Sequence, residues 1–144
     1  MVEEDTIKLL RECDAGLQMG ISSIDEVLDY IDNENFKNRL SNCKDESEKL
    51  RDELLELLDI YHDDGKSPNP MAKGMSWVKT NVMLVVKQSD KTIANLMTEG
   101  CNMGVKSLNK YLNQYKNANE KSRDLTRRIA DSEERLAIDI RRFL

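Results

Sequence analysis

The chain has 144 residues, enough for one domain with a real core, and its 34% charged and 39% apolar residues, with only six glycines and two prolines, suit long amphipathic helices. A net charge of −5 argues against general nucleic-acid binding. No run approaches the ~20 apolar residues of a membrane span, and the acidic start Met1-Val2-Glu3-Glu4-Asp5 does not read as a signal peptide.

Three widely spaced cysteines, an odd number, do not form a disulfide framework. Without an export signal the expected compartment is the reducing cytoplasm. Charge is unevenly placed. Residues 1–64 hold 19 acids against 7 bases, a net of −12, whereas residues 65–144 hold 8 acids against 15 bases, a net of +7. The expected use of this asymmetry is internal, an acidic helical hairpin docked on a basic one. The competing use is a basic surface for phosphates or an acidic partner.

The first helix is expected over about residues 5–31. Its apolar seam is Ile7, Leu10, Asp14, Leu17, Ile21, Ile24, Leu28 and Ile31, with alternating steps of three and four as packed helices require. Asp14 is its one polar member. Asp32-Asn33-Glu34-Asn35 supplies a turn and a cap, and a second helix follows over about 34–63. Its seam is Phe36, Leu40, Cys43, Ser47, Leu50, Leu54, Leu57 and Tyr61. The short connection makes the two helices antiparallel neighbours.

Residues 64–89 break the pattern and hold both prolines, Pro68 and Pro70. Asn69-Pro70 is a good helix start, and Met71, Met75, Val78, Val82 and Val85 share a face beyond it. A ~27-residue helix is roughly 40 Å long, a distance that a short helical crossover with extended ends can span. The apolar residues of this segment exceed one face, so Trp77, Met83, Leu84 and Val86 are the expected contributors to a homodimer interface. Ser89-Asp90 can cap a third helix, expected to about residue 116, with Ala94, Met97, Cys101, Gly104, Leu108, Tyr111 and Tyr115 inward. After Lys116-Asn117-Ala118-Asn119 a fourth helix runs to the end, with Leu125, Ile129, Ser132, Leu136, Ile140 and Phe143 inward. One long helix over 70–116 is the competing reading, and Ser89-Asp90 weakens it.

The expected fold is therefore an all-α four-helix bundle in a single domain: a hairpin over 5–63, a crossover over 64–89 and a hairpin over 90–144. Halfway along, the seams turn small and polar at Asp14, Ser47, Cys101, Gly104 and Ser132. Such a layer either brings helices close or lines a site.

The hairpin–crossover–hairpin order resembles the ferritin-like superfamily. More narrowly, the chain resembles an uncharacterised bacterial ferritin-like group, a domain of unknown function. The residues that carry this likeness are Leu10-x-x-Cys13-x-x-Gly16, Gly65-x-x-Pro68, Trp77-x-Lys79, and Glu99-Gly100 with Tyr111. Active ferritin-like proteins hold two metal ions with a Glu from each of two helices and a Glu-x-x-His from each of the others. This chain departs from that pattern. Its one histidine, His62, lies at the end of the second helix, and Asp59-x-x-His62 has the spacing but not the mid-bundle height. Glu48, Glu99 and Glu133 flank the middle layer, but the seam phase turns them away from its centre.

No complete di-iron site and no cofactor are expected, and no catalytic residue is assigned. A buried Asp14 would need hydrogen-bond partners, for which Ser47 and Ser132 are the candidates. The expected role is a non-catalytic structural or protein-interaction module, acting as a homodimer or with a protein partner and with neither nucleic acid nor membrane. The alternative is a metal- or redox-handling protein whose atypical site joins Asp14 to Cys13, Cys43 and Cys101. Against it, buried cysteines are often plain small hydrophobes.

Overall fold

Asn33, Ser89 and Asn119 each stand in extended backbone immediately ahead of a helix, and each side chain accepts a hydrogen bond from the N–H three residues on. These caps satisfy donors that the first helical turn leaves unpaired. The structure, a computed structural model, describes residues 2–66 and 89–144. Among those residues there are four α-helices and no strand: α1 (Val2–Leu28), α2 (Glu34–Asp59), α3 (Asp90–Gln114) and α4 (Glu120–Asp139). A 3-10 turn, Arg141–Phe143, follows α4. No helix among the described residues is long and apolar enough to cross a membrane. The prolines and the expected interface residues Trp77, Met83, Leu84 and Val86 lie outside the described residues.

The packing pairs α1 with α2 and α3 with α4, and α2 also lies along α4. Hydrogen bonds at the two ends fix the directions. At one end the Asp90 carboxylate accepts from the N–H groups of Asp32 and Asn33, both at 2.9 Å, so α3 starts beside the α1–α2 turn. At the other end the N–H of Asn119 donates to Thr6 Oγ1 at 2.8 Å, and its side-chain amide donates to Tyr61 Oη at 3.2 Å. The α3–α4 turn therefore sits by the start of α1 and the end of α2. Helices α1 and α4 run one way, and α2 and α3 run the other.

Burial follows the expected seams but is wider. Thr6, Leu9, Cys13 and Val27 join Leu10, Asp14, Leu17 and Ile24 on the buried face of α1, while Ile7, Ile21 and Leu28 are half-buried. The core divides into two clusters. One gathers Ile24, Phe36, Leu40, Cys43, Ile93, Cys101 and Ile140 at the α1–α2 turn end. The other gathers Leu9, Leu10, Cys13, Leu54, Leu58, Leu108 and Leu125 at the opposite end. Between them the helices meet through Ser47, Gly104, Ser132 and Glu133, the waist of the bundle.

The helix ends differ from expectation. Helix α2 stops at Asp59 rather than near residue 63, because His62 takes a left-handed φ of 56° and the N–H of Asp63 turns back to the Leu58 carbonyl at 3.2 Å. This loop closes the last turn of the helix in the manner of a Schellman motif, with histidine where glycine is usual. After α4 the 3-10 turn folds Phe143 onto Phe36, their ring centroids 4.7 Å apart. That stack seals the far end of the core.

The clasp at Asp90 ties the start of α3 to the α1–α2 turn by side chain, and its removal has a local signature. Asp90→Ala should lower stability by about 1–2 kcal/mol. Amide hydrogen exchange of Asp32 and Asn33 should accelerate well beyond that of neighbouring turn residues; unchanged exchange there would count against the clasp.

Candidate functional site

Asp14 is only 1% exposed, yet it carries a carboxylate into the core. Its oxygens are both engaged. Arg51 Nε, one helix over, donates to Oδ1 at 2.8 Å. The N–H of Lys66 donates to Oδ2 at 3.1 Å. These donors replace Ser47 and Ser132, the partners expected from the sequence. Gly65 makes the approach feasible: its φ is +90°, and a Cβ there would overlap Asp14 Oδ2. Around this centre the segment after α2 is tied to α1 at several points. Lys66 Nζ pairs with Glu12 at 2.6 Å, and Gln18 donates to the Lys66 carbonyl at 3.1 Å. Asp14 is thus the middle of a structural clasp, with a hydrogen bond accepted at each of its oxygens.

The cysteines are divided between the two core clusters. Cys13 belongs to one core cluster, and Cys43 and Cys101 to the other. All three are free thiols and buried. Thr126 Oγ1 donates its proton to the Ser122 carbonyl at 2.8 Å, so in the 3.3 Å contact with Cys13 the thiol is the donor and stays protonated. Burial pushes Cys13 and Cys101 up to about 12, and it also raises Cys43, which hydrogen-bonds Ser47. At neutral pH these sulfurs are thiols, whereas redox nucleophiles and soft-metal ligands are thiolates. Among the described residues no group of three or more His, Cys, Asp or Glu is arranged to hold a metal ion. His62 is exposed at the end of α2, where its backbone serves the helix terminus.

Glu133 overturns its expected placement. Glu48 and Glu99 are exposed, but the Glu133 side chain turns into the waist. The residue keeps some accessible surface, yet its Oε2 is closed from solvent and has no hydrogen-bond partner among the described residues. The carboxyl fills the gap that Gly104 leaves on α3, where any Cβ would overlap it. Gly104 therefore admits a side chain from α4, rather than only letting two backbones approach. Desolvation pushes the Glu133 carboxyl up to about 8, so at neutral pH it is mostly the neutral acid. The seam spacing allowed this placement without selecting it. Ile129, Glu133, Leu136 and Ile140 step by four, three and four, as regular a seam as the one through Ser132.

Two measurements check the site. Asp14→Asn and Arg51→Ala should each cost about 1.5–3 kcal/mol, and the double variant should cost clearly less than their sum, because each single change strands the other partner. Additive losses in urea unfolding would show that the pair is not coupled. Native Cys13 and Cys101 should react slowly with a thiol reagent near neutral pH and quickly once the chain is unfolded; fast native labelling at either would contradict their burial.

Comparison of the chain with protein families, with curated proteins and with solved structures returned no match.

Proposed function

We propose that this chain is a non-catalytic ferritin-like scaffold that works by protein assembly, as a homodimer or with a protein partner, in the cytoplasm. The observation that carries the reading is the engagement of Asp14. Among the described residues the one carboxylate that the seam brings fully inside is held by Arg51 and the Lys66 N–H, which tie α1 to α2 and to the segment after it, and that is structural work. The protonated thiols support the same reading, because a soft-metal or redox centre at Cys13, Cys43 and Cys101 would need them ionised.

The ferritin-like element of the proposal is supported by direction. Helices α2 and α3 run the same way, and the α2 end and the α3 start lie at opposite ends of the bundle. A lengthwise crossover over residues 64–89 is the connection that such an order needs. The assembly element rests on the apolar surplus of that segment, Trp77, Met83, Leu84 and Val86, which supplies the candidate homodimer surface.

The experiment is elemental analysis of natively purified protein, run together with its solution mass. The expected outcome is no stoichiometric transition metal and a mass of two chains. Two iron ions per chain would replace the scaffold reading with a metal-handling one. A monomeric mass at high concentration would remove the homodimer and leave a hetero-partner, to be sought through the same apolar segment.

A further inference from the structure

Glu133 poses a physical problem that the scaffold reading does not use. Among the described residues no donor reaches its closed-off oxygen, and a carboxyl oxygen so placed is costly even when neutral and far more so when charged. The groups that face it among the described residues offer no compensation. From α1, α2 and α3 the titratable neighbours are Cys13, Cys43 and Cys101, all of which feel the Glu133 charge and none of which is a cation. Arg39 acts on Cys43 and Cys101, but desolvation is the cause that sets Glu133. On its own helix the flanking Ser132 is buried and Glu134 is exposed. Gly104 contributes only space. The notch is therefore shaped for the acid and chemically hostile to its anion.

The position also gives the anion a way out. Glu133 keeps some surface at the α3–α4 seam, so rotation about its side-chain bonds can carry the carboxylate to water without unfolding α4. We infer that Glu133 is a proton-operated latch: as the neutral acid it occupies the Gly104 notch and closes the waist, and as the anion it leaves the notch and opens the waist toward Cys101. The proton released goes to solvent, and no other group changes its bonding.

The sign of the effect follows from the two states. An ordinary carboxyl titrates near 4.5, and Glu133 in the fold titrates at about 8. Between those values the native state holds a proton that the unfolded chain has released. Closure of the latch is therefore fully present in acid and is lost as pH rises through about 8.

The test reads each thiol separately, by mass spectrometry of initial labelling rates in the native protein from about pH 6 to about pH 9. Cys13 serves as the internal control. It sits in the other core cluster, feels the Glu133 charge as Cys101 does and is raised to about 12 as Cys101 is, so ordinary thiol ionisation and the field of that charge both cancel in the ratio of their rates. The expected result is a Cys101-to-Cys13 ratio that rises by up to about tenfold per pH unit and levels off above about pH 8. In Glu133→Gln, which keeps the shape and cannot ionise, the ratio should stay flat. A flat ratio in the wild type overturns the latch, and so does an identical rise in the Gln variant. A parallel rise at all three thiols would mean global unfolding and would overturn it too. Should the Gln variant not fold, the wild-type ratio decides alone, beside the infrared band of a protonated carboxyl. That band should be present in the native protein at neutral pH and vanish as pH passes about 8; its absence at neutral pH overturns the proposal.

Discussion

A buried carboxylate must be matched by donors, and in this bundle that requirement fixes how one hairpin is closed. Asp14 needs Arg51 from α2 and a backbone N–H from the segment beyond α2. Both demands are met only if α2 ends where it does. His62 turns the chain out of the helix, Gly65 takes a conformation that a side chain would oppose, and Lys66 then arrives with its N–H toward Asp14. Sliding α2 by one residue against α1 would carry Arg51 about 1.5 Å along the axis and rotate it by about 100°. The ion pair would break, and a charge would be left in the core. The pair thus acts more as a register pin for the hairpin than as a source of stability, since its attraction is largely offset by the desolvation of Asp14.

The same chain handles a second buried acid in the opposite way. Asp14 is given a cation and an amide, whereas Glu133 is given a vacant methyl's worth of space beside Gly104 and, among the described residues, no donor. The contrast shows what decides the state of an inward carboxyl. Burial alone favours the neutral acid, and burial with a guanidinium at 2.8 Å compensates the anion. Two acids on the seams of one bundle thus face different local fields. One serves the fixed geometry of the hairpin, and the other sits where a change of charge must change the packing.

Much of the fold was legible because caps and seams are local or periodic. Asn33, Ser89 and Asn119 mark helix starts through bonds to residues three positions away, which a sequence displays directly. Leu10, Leu17, Ile24, Leu40, Leu54, Leu108 and Leu125 are buried where the seam spacing puts them. Helix ends were less legible, because the end of α2 is set by a left-handed residue and by contacts back to α1. The burial of Asp14 could be read, but its partner could not. Which side chain on α2 stands at its height depends on the turn and on residues 63–66 folding back. Glu133 was missed for a related reason. Ser132 and Glu133 both lie on a seam of α4 and both turn inward, and room for the larger Glu133 was made by a glycine on another helix. Complementarity of this kind has no trace in the spacing of either helix alone.

The charge asymmetry finds its use in the pairing of α2 with α4. Arg128 meets Glu53 at 2.5 Å, Arg135 meets Glu46 at 3.0 Å and Arg39 meets Asp139 at 2.8 Å. In the first two pairs the basic half supplies the cation and the acidic half the anion. All of these side chains keep access to water, from 24% for Arg39 to 63% for Arg135, so each pair adds little to stability. Their effect is on choice. Helix α4 carries apolar residues over a broad face and could pack against α1 or α2 on hydrophobic grounds alone. A row of basic residues on its flank finds acids along α2, and a neighbour that could not answer those charges would leave them facing like or neutral groups. Weak pairs at three heights, all satisfied only in one arrangement, bias the bundle toward that arrangement far more than they hold it together.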